Sequence, residues 1–173
     1  MTATVYTIGH SNQPAALLLE ALSEQSIDLL LDVRRYPRSR RNPQFNLESL
    51  SQALEIIGIE YRHVEALGGR RDTLPDSPNT AIREPGFRGY ADYMATDAFD
   101  HELTELIELA ADHRVAIMCA EANPAQCHRS MVADALVSRG VEVQHIVGMT
   151  LRTHVMSPTA RLLEGRMQYP ALL

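Results

Sequence analysis

The segment with the greatest potential for chemistry runs from Cys119 to Arg129 and contains both cysteines of the chain. Cys119 ends an apolar run, and Cys127 stands directly before His128 and Arg129, where a helix is expected to begin. Positive partial charge at a helix N-terminus stabilises a thiolate. The spacing therefore predicts Cys127 as a nucleophile, with Cys119 able to resolve an oxidised form. Alternatively, each cysteine is a small buried side chain and a free thiol.

The position of Arg129 limits the class of thiol chemistry. Cysteine phosphatases and sulfurtransferases also order a strand, a cysteine, a loop, an arginine and a helix. Arg129 lies ten residues after Cys119 and two after Cys127, which is the spacing of neither class. Cys119, Cys127 and His128 also lack the ligand spacing of a closed zinc site, so we predict no metal. No motif in the sequence identifies a cofactor.

A second concentration of chemistry is the loop of residues 34–45, which carries five arginines and two aromatic side chains. Guanidinium groups bind phosphates and aromatic rings stack on bases, so this loop predicts contact with a nucleotide or a nucleic acid. Three arginines would hold the anion: Arg34, Arg38 and Arg129. Alternatively, the arginines of this loop form ion pairs with the acids of residues 92–112.

Polar side chains that could act beside such an anion follow the other apolar runs. His10 and Ser11 follow the first run, and Asp32 ends the second. Histidine titrates near neutral pH, and a carboxylate can serve as an acid or a base. The catalytic candidates are therefore His10, Asp32, Glu121 and Cys127. The candidate ligand-binding residues are Ser11, Arg34, Arg38, Cys119, His128 and Arg129. Alternatively, His10 makes a structural hydrogen bond and each carboxylate only orients an arginine.

These candidates lie where predicted strands end. Apolar runs predict strands at residues 5–8, 27–33, 59–64, 115–119 and 141–146. Helical spacing predicts helices at 14–25, 47–58, 89–95, 97–112 and 127–140, and a small one at 158–166. The alternation predicts an α/β fold of three layers, a mainly parallel, Rossmann-like sheet of about five strands with helices on both faces. Ligands bind such sheets at the carboxyl ends of the strands, where the candidates would meet.

Composition and charge narrow the function further. The net charge is −6, yet residues 34–88 carry ten arginines against seven acids, which indicates a local anion site. None of the 16 basic residues is lysine, which excludes Schiff-base chemistry and the P-loop lysine. No apolar run approaches a membrane span and the first residues lack a signal-peptide pattern, so we expect a cytoplasmic protein without membrane contact. We expect residues 1–173 to form a single domain with an irregular insertion or lid at about 70–96.

Six motifs occur in order along the chain, at residues 7–11, 32–39, 42–45, 67–70, 87–90 and 119–129. They read TIGHS, DVRRYPRS, NPQF, LGGR, FRGY and CAEANPAQCHR. Together they resemble a prokaryotic family known as domain of unknown function 488, and the resemblance runs over roughly residues 4–150. This family has no established activity. The resemblance implies that one polar set belongs to a shared site: His10, Asp32, Arg34, Cys119, Glu121, Cys127, His128 and Arg129.

The sequence leaves three functions open. The first is the binding or processing of a phosphate-bearing ligand, a nucleotide or a nucleic acid, at an arginine-rich rim. The second is thiol redox chemistry or sulfur transfer through Cys127 and Cys119. The third is a non-catalytic interaction module whose arginine-rich loop docks an acidic partner.

Overall fold

A six-stranded sheet forms the centre of the computed structural model, which describes residues 2–171. The strands are β1 Thr4–Gly9, β2 Leu29–Asp32, β3 Glu60–His63, β4 Val115–Cys119, β5 Glu142–Val147 and β6 Thr150–Thr153. They lie in the order β3-β2-β4-β1-β5-β6. Strands β1 to β5 run parallel, which confirms the mainly parallel sheet. The unpredicted β6 pairs antiparallel with β5 across a two-residue turn that begins at Gly148, whose φ is +62°.

Within the described residues, five α-helices cover the two faces of this sheet. They are α1 Ala15–Glu24, α2 Leu47–Ile56, α3 Pro85–Tyr93, α4 Asp97–Asp112 and α5 Arg129–Ser138. Leu18 of α1 and Leu50 of α2 pack in one apolar cluster, whereas α3, α4 and α5 contribute to a second cluster on the opposite face. The three-layer α/β fold is thus confirmed. No helix within residues 2–171 has both the length and the apolar character needed to cross a membrane.

The central strands β2 and β4 are buried along their whole length, with covered side chains on both faces. This is why their sequences read as almost continuous apolar runs instead of alternating patterns. Backbone hydrogen bonds continue past their ends. The His10 amide donates to the Cys119 carbonyl, and the Val33 amide donates to the Met118 carbonyl, each at 2.9 Å. The loops that follow β1, β2 and β4 are therefore held side by side at the carboxyl edge of the sheet.

The insertion expected at about 70–96 has no helix or strand before α3, yet it is anchored. Asp92 of α3 is buried and accepts hydrogen bonds from the Leu74 amide, the Ser77 hydroxyl and the Asn79 amide group. One carboxylate thus fixes three points of an otherwise irregular segment. That the chain forms a single domain stays a prediction.

The C-terminal region differs from its prediction. Residues 158–166 do not form a helix; two short strands, β7 Arg161–Leu163 and β8 Arg166–Gln168, pair as a hairpin. The turn residues Glu164 and Gly165 both have positive φ, 53° and 77°. Two successive residues with positive φ make the kind of tight turn that matches the twist of a hairpin. Glycine at the second position therefore favours the hairpin over a continued helix.

We predict that Gly9→Ala destabilises the fold by about 3 kcal/mol, because overpacking forces the backbone to move. A Cβ at Gly9 would overlap the Glu121 carbonyl and lie 2.6 Å from Arg129 Nη1. Gly58→Ala is the matched control, since a Cβ there would meet nothing within 4 Å and only the φ of +79° resists it. It should cost about 1 kcal/mol. Urea unfolding of both variants checks this, and equal losses would contradict it.

Candidate functional site

A cleft of about 660 Å³ opens at the carboxyl edge of the sheet. We call it the carboxyl-edge cleft, and seven predicted site residues line it: His10, Arg34, Arg38, Cys119, Glu121, Cys127 and His128. The other three, Ser11, Asp32 and Arg129, are not among the lining residues. The structure therefore brings together side chains from the loops after β1, β2 and β4. The catalytic and binding roles assigned to them stay predictions.

Asp32 is fully buried at the end of β2 and forms an ion pair with Arg34. Its carboxylate accepts from Arg34 Nε at 2.9 Å, from Nη2 at 2.6 Å and from the Arg34 amide at 3.1 Å. The Tyr61 hydroxyl donates to it as well, and burial followed by this bond raises the pKa of Tyr61. With both oxygens occupied, Asp32 has the surroundings of a group that orients Arg34. This arrangement favours the structural alternative over an acid–base role.

His10 is almost fully buried and stacks on Phe45, with ring centroids 4.6 Å apart. Its Nδ1 lies 2.7 Å from the Ser11 carbonyl, which can only accept, so Nδ1 carries the proton. Nε2 then keeps its lone pair and accepts from Arg34 Nη1 at 3.3 Å. Burial is the main cause that lowers the pKa of His10. His10 is therefore neutral, and both of its ring nitrogens are bonded within the protein.

The two cysteines meet in the floor of the cleft. Their sulfur atoms are in contact, and the structure pairs them as a disulfide, whereas the expectation of a cytoplasmic protein implied free thiols. The two sulfurs meet because a short 3-10 turn at Pro124–Gln126 folds the loop back and brings Cys127 next to Cys119. Asn123 stabilises this turn by accepting a hydrogen bond from the Ala125 amide.

Arg129 is fully buried, although it was expected to hold an anion. Its Nη1 donates to the Glu121 carbonyl at 2.7 Å and to Cys119 Sγ at 2.9 Å, and Nη2 donates to the Ala122 carbonyl at 2.9 Å. Nε has no hydrogen-bond partner. Burial lowers the pKa of Arg129 to about 10, so the group stays cationic at neutral pH. Its charge therefore acts on the cysteines from within the protein.

His128 also differs from expectation. Its Nε2 donates to the Val33 carbonyl at 3.1 Å, which leaves the lone pair on Nδ1, 3.7 Å from Cys127 Sγ. Burial is the largest cause that lowers the pKa of His128 to about 4. The ring is neutral at pH 7, so His128 supplies no positive charge to Cys127.

Cationic side chains form the outer wall of the cleft. Arg35, Arg38 and Arg70 line it together with Tyr36. The guanidinium carbons of Arg35 and Arg70 lie 5.8 and 5.6 Å from the centroid of the Tyr36 ring. Arg35 Nη1 also donates to the Arg70 carbonyl at 2.6 Å. Arg35, Tyr36 and Arg70 were missed as individual site residues, although Arg70 follows β3 by the same strand-end rule that locates the other candidates.

The acids of residues 92–112 do not neutralise this wall. Within residues 2–171, the ion pairs of those acids join them to Arg139 and Arg166. Arg38 instead pairs with the exposed Glu48. The alternative in which the arginine-rich loop pairs with residues 92–112 is therefore wrong.

A buried network of hydrogen-bonded polar side chains begins at Asp134 of α5. Asp134 accepts from His154 Nε2 at 2.7 Å, so His154 Nδ1 accepts from His145 Nε2 at 2.8 Å. The Thr7 hydroxyl then donates to His145 Nδ1. Burial, followed by the nearby His154 and Arg129, lowers the pKa of His145 to about 4, while Asp134 opposes this. No sequence pattern predicts this network, because its members are distant along the chain.

Comparison with known proteins identifies one family. The model of the family described as "Domain of unknown function DUF488" matches residues 15–136. No curated protein and no solved structure matches the chain. Within the described residues, no group of three or more His, Cys, Asp or Glu side chains is arranged to hold a metal ion.

We predict that stability falls between pH 7 and pH 5. His128 and His145 have folded-state pKa values of about 4, while the unfolded chain binds these protons near 6.5. Their contribution is therefore complete above pH 6.5 and is lost as the pH falls toward 4, on the order of 1–2 kcal/mol for each histidine by pH 5. Urea unfolding at both pH values measures the loss.

The variant His145→Gln removes one of the histidines whose pKa is lowered and should reduce the difference between pH 7 and pH 5. His101→Gln, at an exposed position of α4, is the matched control and should keep the wild-type difference. Equal stability of the wild-type protein at the two pH values would contradict the prediction.

Proposed function

We propose a function from the geometry of the site, because the chain belongs to the DUF488 family and the description of that family names no activity. The proposed function is the binding of a phosphate-bearing small molecule of nucleotide size in the carboxyl-edge cleft. Processing of this ligand by acid–base chemistry at the cleft is the enzymatic form of the same proposal.

The observation that carries the proposal is the charge of the cleft. Four arginines line it, on a protein whose net charge is −6: Arg34, Arg35, Arg38 and Arg70. Two acids also line it, and one of them, Glu84, accepts from the Gly86 and Phe87 amides at the start of α3. Asp32 compensates Arg34 and Glu48 pairs with Arg38, so the positive field comes mainly from Arg35 and Arg70. Such a local excess of cations on an acidic protein favours an anionic ligand.

The size of the cleft favours a nucleotide over a nucleic acid. Its volume of about 660 Å³ falls within the range of small-molecule sites, roughly 300–1,000 Å³. Tyr36 is exposed and lines the cleft near the guanidinium groups of Arg35 and Arg70, so a planar base could stack on its ring. A nucleic acid would instead need cations beyond the cleft, such as the exposed Arg40 and Arg41.

The role proposed for each lining side chain follows from whether that side chain is exposed to the cleft. Arg38 and Arg70 are exposed and line the cleft, so their donors can reach a phosphate. Glu84 and Glu121 are the exposed carboxylates of the lining. Because Glu84 accepts from the Gly86 and Phe87 amides, Glu121 is the candidate acid or base. His10 and Asp32 both hold Arg34 in place.

We predict that the double variant Arg38→Gln/Arg70→Gln weakens binding of a nucleoside monophosphate by about tenfold or more, since it removes two charge-assisted donors. Calorimetric titration at low salt measures this. The wild-type protein should bind the phosphorylated compound more tightly than the unphosphorylated nucleoside, and added salt should weaken only the former.

The matched control is Arg40→Gln/Arg41→Gln, which removes the same charge at two exposed positions of the arginine-rich loop that do not line the cleft. It should leave nucleotide binding nearly unchanged. If both double variants weaken binding equally, the general field of the loop is responsible and not the cleft. Loss of capture of an acidic partner only in the Arg40/Arg41 variant would favour the interaction module.

A second candidate function is thiol chemistry through Cys127 and Cys119. The observation that favours it is the contact between the two sulfur atoms in the floor of the same cleft, beside the buried Arg129. A paired dithiol and disulfide can exchange two electrons with a substrate.

A further inference from the structure

We propose that Cys119 is the nucleophile of a dithiol pair that reduces small acidic disulfides bound in the carboxyl-edge cleft, and that Cys127 resolves the mixed disulfide. The proposal deepens the second candidate function, and its substrate class rests on the cationic cleft of the proposed function. It reverses the roles that the helix-start position of Cys127 predicts from sequence.

The buried charge of Arg129 selects Cys119 as the nucleophile. Arg129 Nη1 lies 2.9 Å from Cys119 Sγ, and no ion pair within residues 2–171 gives Arg129 a carboxylate partner. A thiolate at Cys119 supplies the missing negative charge at hydrogen-bond distance, away from water. Cys119 should therefore ionise well below the value of about 8.5 that is usual for a free thiol.

The surroundings of Cys127 suit the second step. Its sulfur lies 3.5 Å from the Arg129 amide and 3.7 Å from the lone pair of His128 Nδ1. A neutral imidazole does not hold a thiolate by charge, so Cys127 stays protonated until it attacks the mixed disulfide. The contact between the two sulfurs places Cys127 within reach of a group bound to Cys119.

The charged side chains that line the cleft around the two sulfurs indicate the class of substrate. Cys119 and Cys127 line the same cleft as Arg35, Arg38 and Arg70. A disulfide that carries carboxylates therefore meets attractive charges while its sulfurs approach the floor, and a cationic disulfide meets repulsion. The volume of about 660 Å³ is sufficient for a disulfide of small peptide size.

The reaction balances in two steps. The Cys119 thiolate bonds to one sulfur of the substrate, the substrate S–S bond breaks, and the first thiolate leaves. The Cys127 sulfur then bonds to Cys119, the bond between Cys119 and the substrate sulfur breaks, and the proton of Cys127 passes to the second thiolate as it leaves. Two protein thiols become one disulfide, one substrate disulfide becomes two thiols, and two electrons pass from protein to substrate.

The first experiment compares three disulfides against the reduced protein: oxidised glutathione, which is acidic, hydroxyethyl disulfide, which is neutral, and cystamine, which is cationic. Each rate is divided by that of a free model thiol to remove differences in intrinsic reactivity. We expect the relative rate for oxidised glutathione to exceed that for cystamine by about tenfold or more, and the difference to shrink at high salt. Equal relative rates would overturn the substrate class.

The second experiment assigns the roles. Cys127→Ser should accumulate a stable mixed disulfide on Cys119, seen by intact mass, whereas Cys119→Ser should not react faster than the model thiol. Alkylation by iodoacetamide, a neutral reagent, should give a lower apparent pKa for Cys119 in Cys127→Ser than for Cys127 in Cys119→Ser. The opposite order in either measurement would overturn the assignment of Cys119.

The two proposals can fail separately. If oxidised glutathione is preferred but no nucleoside monophosphate binds, the inference stands and the proposed function is wrong. If the nucleotide binds in an Arg38- and Arg70-dependent way but the three disulfides react alike, the proposed function stands and the inference is wrong.

Discussion

The burial of one guanidinium group governs the arrangement of this site. Arg129 is fully buried at the start of α5, and the carbonyls of Glu121 and Ala122 surround it together with Cys119 Sγ. Removing a charge from water without an opposite charge is costly, and the lowered pKa of Arg129 reflects that cost. The loop after β4 is therefore wrapped around a cation, because its carbonyls are the main groups that solvate it. The close approach of this loop to β1 in turn requires glycine at position 9.

Arg34 shows the opposite solution to the same problem. It is also buried, but Asp32 accepts three of its hydrogen bonds and neutralises its charge. A compensated arginine is a rigid donor that adds little net field, whereas Arg129 leaves a positive charge for any anion that forms beside it. The exposed Arg38 and Arg70 are the cations that a ligand can reach from outside. In the two proposals, the cation that acts on sulfur is thus separate from the cations that act on a ligand.

Position at the strand ends was predictable from the sequence. His10, Arg34 and Glu121 belong to three separate segments, yet each follows an apolar run that proves to be a parallel strand. Parallel strands carry their following loops to one edge, so locating the strands is enough to gather these residues. The same reasoning extends to Arg70 after β3. Fold class and residue clustering therefore depend on local apolar patterns, which a single sequence displays.

The direction of each side chain was not predictable, because it depends on contacts between distant segments. Arg129 lies close to the cleft in sequence, but carbonyls of the preceding loop turn its guanidinium inward. His128 is neutral because it is buried and bonded to Val33, a residue that lies far away along the chain. The expected activation of Cys127 depended on the start of a helix, and the Arg129 amide at the start of α5 does lie 3.5 Å from the Cys127 sulfur. The guanidinium of Arg129, which carries a full charge, lies nearer to Cys119, and this is why the proposed roles of the two cysteines are reversed.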